Sequence, residues 1–202
     1  MVAARLKKRG FPARYLLFVG TIEPRKNLLP LLRAYCGLPE PLRRQWPLLL
    51  VGSWGWNAKD VADFLDRTGR ACGVRHVGYL ADRDLPFVYN GARALLYPSR
   101  YEGFGLPPLE MMACGGAVLA ATAGALIETI GQRACLIHPD DTDGWRHALH
   151  RVVTDDDWWN SLRDGVEAVA RPYTWERCAA ETLRVYRSVC GRPRLPLLRA
   201  AG

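Results

Sequence analysis

The sequence has no Cys-x-x-Cys pair among its six cysteines, no apolar run long enough to cross a bilayer, and no apolar signal core in its first 14 residues. The first absence argues against a zinc site and against a disulfide framework. The cysteines at 36, 72, 114, 135, 178 and 190 therefore read as reduced thiols, several of them inside apolar segments. The other two absences argue against a membrane span and against secretion, which leaves a cytoplasmic protein as the expectation. Internal repeats are lacking as well. So is any aromatic-basic recognition motif, and nucleic acid is the partner that the net charge of +8 fits least. That charge suits a basic surface, an anionic ligand, or peripheral contact with an anionic membrane face.

With 49% hydrophobic and 24% charged residues over 202 positions, the chain has the balance of one well-buried domain, ordered except at its two ends. Short apolar runs at 15–20, 47–52, 74–78, 94–97, 117–120 and 134–137 read as six strands. Between them lie helical patterns at 28–35, 58–72 and 85–91. Strands that alternate with helices imply an α/β fold with a doubly wound parallel sheet, its faces both covered. Right-handed crossovers place every strand's C-terminal end on one edge, where such folds bind ligands. After Pro139 the pattern changes to helices alone, at 142–153, 156–169 and 174–189, with Thr174 as N-cap of the last. The expected organisation is a short segment 1–13, a domain 14–190 and a loose basic tail 191–202.

Three segments at strand ends carry groups suited to a phosphorylated sugar ligand. Gly20-Thr21-Ile22-Glu23-Pro24-Arg25-Lys26-Asn27 follows the first strand, and its glycine permits close backbone approach. Arg25 and Lys26 enter the next helix and present a planar fork and a point charge to a diphosphate. Tyr101-Glu102-Gly103-Phe104-Gly105-Leu106-Pro107-Pro108-Leu109-Glu110 leads into a helix whose first turn holds the prolines. The amides from Gly103 to Leu106, with the positive end of that helix, make an anion site. Glu102 and Glu110 suit sugar hydroxyls as acceptors. Gly78-Tyr79-Leu80, after the third strand, offers backbone groups to a nucleobase edge.

These segments resemble the retaining glycosyltransferases called group 1 or family 4, which have the GT-B fold. Glu102 to Glu110 matches their E-x7-E pattern. Phe18 to Asn27 is similar to their first donor-domain strand and phosphate loop, and Tyr97 to Glu110 to their most specific segment. The similarity runs from about Arg14 to Val189. It implies the Rossmann-like half of GT-B that binds the nucleotide-diphosphate sugar, with C-terminal helices. By resemblance, Gly20 and Thr21 approach the donor, Arg25 and Lys26 neutralise its diphosphate, and Tyr79 and Leu80 border the base. Glu102 and the Gly103, Phe104, Gly105 and Leu106 backbone face the sugar and phosphates, and Glu110 binds the ribose hydroxyls. Glu102, Arg25 and Lys26 are the expected catalytic residues. No metal or cofactor is implied, because positive side chains and amides stabilise the leaving diphosphate. The chain departs from the pattern at Gly115-Gly116-Ala117-Val118 and at Leu126-Ile127-Glu128, where the family usually carries a proline.

Only about 14 residues precede the first strand, too few for a domain, so the acceptor-binding half is expected to be absent or held by a separate subunit. The expected activity is transfer of a hexose, mannose before others, to a glycan or lipid-linked acceptor during polysaccharide assembly at the cytosolic membrane face. The alternative is a non-catalytic nucleotide-sugar-binding module. A third reading is a sugar-nucleotide epimerase of the same fold, which would need catalytic carboxylates and histidines that no motif of the sequence places. The aspartate runs 140–143 and 155–157 sit at helix starts, where they cap free amides, and are not read as metal ligands.

Overall fold

The computed structural model describes residues 2–8 and 10–190. The chain opens with helix α1 (Val2–Lys8), inside the 1–13 segment to which the sequence assigns no structure, and Leu6 anchors it in the core. Strand β1 (Leu16–Val19) and helices α2 (Leu28–Cys36) and α3 (Glu40–Gln45) follow, then β2 (Leu48–Val51). Helix α4 (Lys59–Phe64) runs into a π-helical turn, Leu65–Gly69, before β3 (Val74–Gly78). Next come α5 (Leu85–Gly91), β4 (Ala94–Tyr97), α6 (Leu106–Ala113) and β5 (Ala117–Ala121). Helix α7 (Leu126–Ile130) leads to β6 (Cys135–Ile137), and α8 (Thr142–Thr154), α9 (Asp156–Ser161) and α10 (Glu167–Ala170) complete a compact unit that ends at residue 170.

All six strands are parallel, in the order β3-β2-β1-β4-β5-β6. The doubly wound α/β expectation holds. The central strands are uninterrupted apolar runs because both their faces are covered: every residue of β1, β2, β4 and β5 is buried. Edge strand β3 instead alternates, with Val74 buried and Arg75 and Val77 exposed. The helices sort into two packed sets, one of α2, α4, α8 and α9, the other of α1, α5, α6, α7 and α10. They cover opposite faces of the sheet, as right-handed crossovers on either side of β1 require.

The 156–169 pattern is two helices rather than one. The chain turns between Ser161 and Glu167, and Gly165 takes a φ of 66°, a left-handed conformation that ends helical propagation. The described residues from Arg171 onward form a second unit. There the Thr174 hydroxyl accepts from the Arg177 N–H at 3.1 Å and so caps α11 (Trp175–Cys190), as the sequence indicates. The basic tail 191–202 lies outside the described residues.

Candidate active site

In chain order the sheet grows outward from β1 to β3, then returns to the opposite side of β1 to start β4. The C-terminal ends of β1 and β4 thus flank the switch point, the crevice where open α/β sheets take ligands. The loops leaving these two strands bring Arg25, Lys26 and Glu102 together.

The first loop starts at Gly20, held close to β2 by a 2.9 Å bond from its N–H to the Val51 carbonyl. Arg25 and Lys26 do not enter α2 directly, as the sequence suggests. They occupy a separate 3-10 turn, Pro24–Lys26, and Asn27 at φ 51° redirects the chain before α2 begins. Asn is among the few side chains that tolerate this left-handed region, because its amide bonds locally. The Asn27 side chain donates to the Pro139 carbonyl at 2.8 Å and accepts from Arg100 Nε at 3.1 Å. Arg100 also donates from its backbone to the Arg25 carbonyl at 2.8 Å and forks onto Asp140. The loops after β1, β4 and β6 are thereby stitched into one frame.

Within it, Glu102 Oε1 accepts from Lys26 Nζ at 2.6 Å and Oε2 from Arg25 Nη1 at 2.8 Å. Lys26 Nζ also donates to the Tyr97 hydroxyl at 2.7 Å. Lys26 and Glu102 are buried, while the Arg25 side chain is 43% exposed and reaches a second carboxylate on Glu23. Burial pushes the Glu102 carboxyl up, but Lys26, Ser99 and Arg25 together hold it below the usual carboxylate range. The wholly buried Ser99 hydroxyl acts here by proximity, since it makes no hydrogen bond of ordinary geometry. For Lys26 burial wins and draws the ammonium below its ordinary value, with Glu102 opposing. Burial also lowers Arg25, but Glu102 and Glu23 more than reverse it. The opposite pulls on the two partners agree on one point: Glu102 stays ionised near neutrality.

Two cations and two carboxylates make the cluster locally neutral before any ligand arrives. Arg25 is the more exposed of the two cations, and Lys26 is the buried one that pairs with Glu102. Because the folded Glu102 carboxyl titrates below its ordinary value of 4.5, its contribution to stability is complete above that pH and is lost as pH falls through the folded value. Between about pH 5 and about pH 3 the wild type should therefore lose more stability than Glu102→Gln, which has no carboxyl there to titrate. Urea midpoints at the two pH values check this, and equal losses would remove Glu102 from the acid response.

The other expected site residues are placed as follows. Gly20 lies against Lys26: a Cβ there would meet the lysine side chain at 3.4 Å. Thr21 turns its methyl toward Gly55 in the loop after β2. Gly103, Phe104, Gly105 and Leu106 lead into α6, with Gly105 at φ 90° as its N-cap and packed on Leu126. The Phe104 carbonyl accepts from Thr129 at 3.0 Å, so α7 braces this loop although the family's proline is missing before Glu128. Tyr79 and Leu80 follow β3, two strands away from β1, and Tyr79 is 71% exposed. Glu110 stands on α6 and bonds Tyr89 rather than the cation cluster. Sequence reading missed Tyr97 and Tyr89, because a tyrosine within an apolar run reads as core. Asp141 and Asp155 cap α8 and α9 by accepting from the N–H groups of Gly144 and Trp158, both at 2.8 Å. Among the described residues no three His, Cys, Asp or Glu side chains gather closely enough to hold a metal ion.

Residues 6–169 match the family described as Glycosyl transferases group 1. The chain belongs to the group 1 glycosyltransferases. Group 1 relatives similar to it include O-antigen chain mannosyltransferase B of Escherichia coli, 38% identical over 86% of this chain and 45% of that protein. D-inositol 3-phosphate glycosyltransferase of Streptosporangium roseum is 32% identical over 86% of this chain and 42% of its own length. The chain thus spans less than half the length of these relatives. Sucrose-phosphate synthase of Thermosynechococcus elongatus superposes with a TM-score of 0.80 at 28% identity, over 94% of this chain and 49% of that one. Anabaena Alr3699/HepE, solved with UDP-glucose, shares the fold with a TM-score of 0.76 at 19% identity, over 95% and 52%. The group 1 chain described here has the Rossmann-like fold of these GT-B glycosyltransferases. No described helix is long and apolar enough to cross a membrane.

Proposed function

We propose that this chain binds a nucleotide-diphosphate sugar at the switch point between β1 and β4 and serves as the donor half of a retaining hexosyltransferase. The observation that carries the reading is the Arg25–Lys26–Glu102 cluster at that crevice in a group 1 glycosyltransferase. Arg25 takes the diphosphate and Lys26 stabilises charge on it from below as the sugar leaves. Glu102 holds both cations and, with the Gly103–Leu106 backbone, faces the sugar. Glu110 accepts from the ribose hydroxyls, and Tyr79 and Leu80 border the base. A GDP-linked mannose is the favoured donor, since the similar Escherichia coli proteins are named as mannosyltransferases. Acceptor binding falls to the part of such a protein that this chain does not span, or to a separate subunit, at the cytosolic membrane face. The same donor site without that partner would be a binding module.

Calorimetric titration with GDP-mannose, UDP-glucose, UDP-N-acetylglucosamine and dTDP-rhamnose tests the reading. Selective binding of GDP-mannose is expected, and a folded chain that binds none of the four sinks the proposal. Arg25→Ala and Glu110→Ala should each weaken donor binding by about tenfold or more, the scale of one hydrogen bond to a charged group. Both should still fold, because the two side chains are exposed, although Glu110→Ala also takes the acceptor from the buried Tyr89 hydroxyl and should lower stability by about 1–3 kcal/mol. Unchanged affinity in either variant would remove that residue from the site.

A further inference from the structure

Glu110 is exposed on α6, yet its carboxylate is not loose. Its Oε2 accepts a 2.6 Å hydrogen bond from the hydroxyl of Tyr89 on α5. Tyr89 is 2% exposed, with its ring in the core between the helices and the sheet. Burial first, then the charge of Glu110, push this phenol far above its usual range, so it remains a donor wherever the protein is folded. A short O–H···O⁻ bond is among the stronger neutral-to-ion contacts. An exposed glutamate on a helix otherwise samples several rotamers, and fixing one costs side-chain entropy at the moment of binding. Here a rigid buried ring has fixed it beforehand through one of its two oxygens.

We propose that Tyr89 is a positioning residue for Glu110, one that holds the carboxylate ready for the paired hydroxyls of a ribose and so sets preference for ribonucleotides over deoxyribonucleotides. The inference rests on the reading of Glu110 as the ribose acceptor. Preorganisation raises affinity by removing an ordering cost, and it acts only on a ligand that uses the ordered group. A 2′-deoxy ligand gives Glu110 less to bind and is less sensitive to the anchor. The competing role is a latch that merely joins α5 to α6, which already pack together. A latch would affect both kinds of ligand alike.

Tyr89→Phe keeps the ring, leaves the core filled and strands no buried donor. Calorimetry of the wild type, Tyr89→Phe and Glu110→Gln would compare GDP with 2′-deoxy-GDP, and UDP with 2′-deoxy-UDP, with circular dichroism to confirm folding. The wild type should favour the ribonucleotide by about tenfold, and Tyr89→Phe should compress that ratio by about three- to fivefold while deoxyribonucleotide affinity stays nearly constant. Glu110→Gln should compress the ratio further. An intact ratio in Tyr89→Phe beside a compressed one in Glu110→Gln would overturn the positioning role and keep the ribose reading. No ribose preference in the wild type, or no binding of either GDP or UDP, would overturn the ribose reading and the positioning role with it.

Discussion

Lys26→Met should lower stability by about 3 kcal/mol, because it removes one partner of a buried ion pair and leaves the other charge behind. Methionine keeps the apolar stem that packs beside Gly20 and loses Nζ, the atom that stands 4.7 Å from the Tyr97 ring centroid. The loss is therefore one of charge rather than of volume. Glu102 would retain Arg25, whose side chain is half exposed and screened by water. With the lysine gone, burial would lift the Glu102 carboxyl toward protonation. The double variant Lys26→Met with Glu102→Gln should regain most of the stability, since it leaves no buried charge unpaired. Donor affinity should stay low in both, by tenfold or more, because neither restores the cation. Guanidinium midpoints for the four members of the cycle decide the matter. A single variant that unfolds at the wild-type midpoint would mean that the pair does not hold the loop.

Gly52→Ala should be comparably severe for a different reason. Gly52 follows β2 with φ at 142°, a region closed to other residues. Its N–H donates to the Gly78 carbonyl at 2.9 Å, and the neighbouring Val51 carbonyl accepts from Gly20 at the same distance. The ends of β1, β2 and β3 are thus fastened to one another at this point. A Cβ on residue 52 would stand 2.6 Å from the Gly20 carbonyl carbon and closer still to its oxygen, against backbone that has no freedom to retreat. A loss of about 3 kcal/mol or more is expected. Gly78→Ala is the control. Its φ is 83°, yet nothing lies within 4 Å of the added Cβ, so only the conformational cost of about 1–2 kcal/mol applies. Equal effects from the two substitutions would show that the close approach of β1 and β2 is unimportant.

How far the sequence could be read follows from the same physics. Leu48–Val51 and Ala94–Tyr97 announced themselves as strands because a sheet covered on both faces needs no polar positions. Glu40–Gln45 and Leu126–Ile130 were too short to show a helical period and went unseen. The π turn at 65–69 and the break near Gly165 are local changes of pitch that hydrophobic spacing does not encode. In the site, the residue types of Arg25, Lys26 and Glu102 were legible from their motifs. That they satisfy one another was not, because the pairs lie 76 and 77 positions apart and are made by the order of strands. Tyr97 and Tyr89 differ from ordinary core tyrosines only in what their hydroxyls touch.

The stitching of three loops also bears on the sequence of events during synthesis. The Arg25–Asn27 turn leaves a ribosome well before its strap, because the Pro139 carbonyl that holds Asn27 is made 112 residues later. Glu102 and Arg100 arrive in between, and β1 itself lacks its neighbour β4 until residue 97 has been added. A nascent chain that ends after Glu102 but before β6 is complete would already own both cations and their counter-ion, without the strap that fixes the turn. This charged loop is thus made before it can be set, and a chain halted between residues 104 and 138 would carry it unfinished.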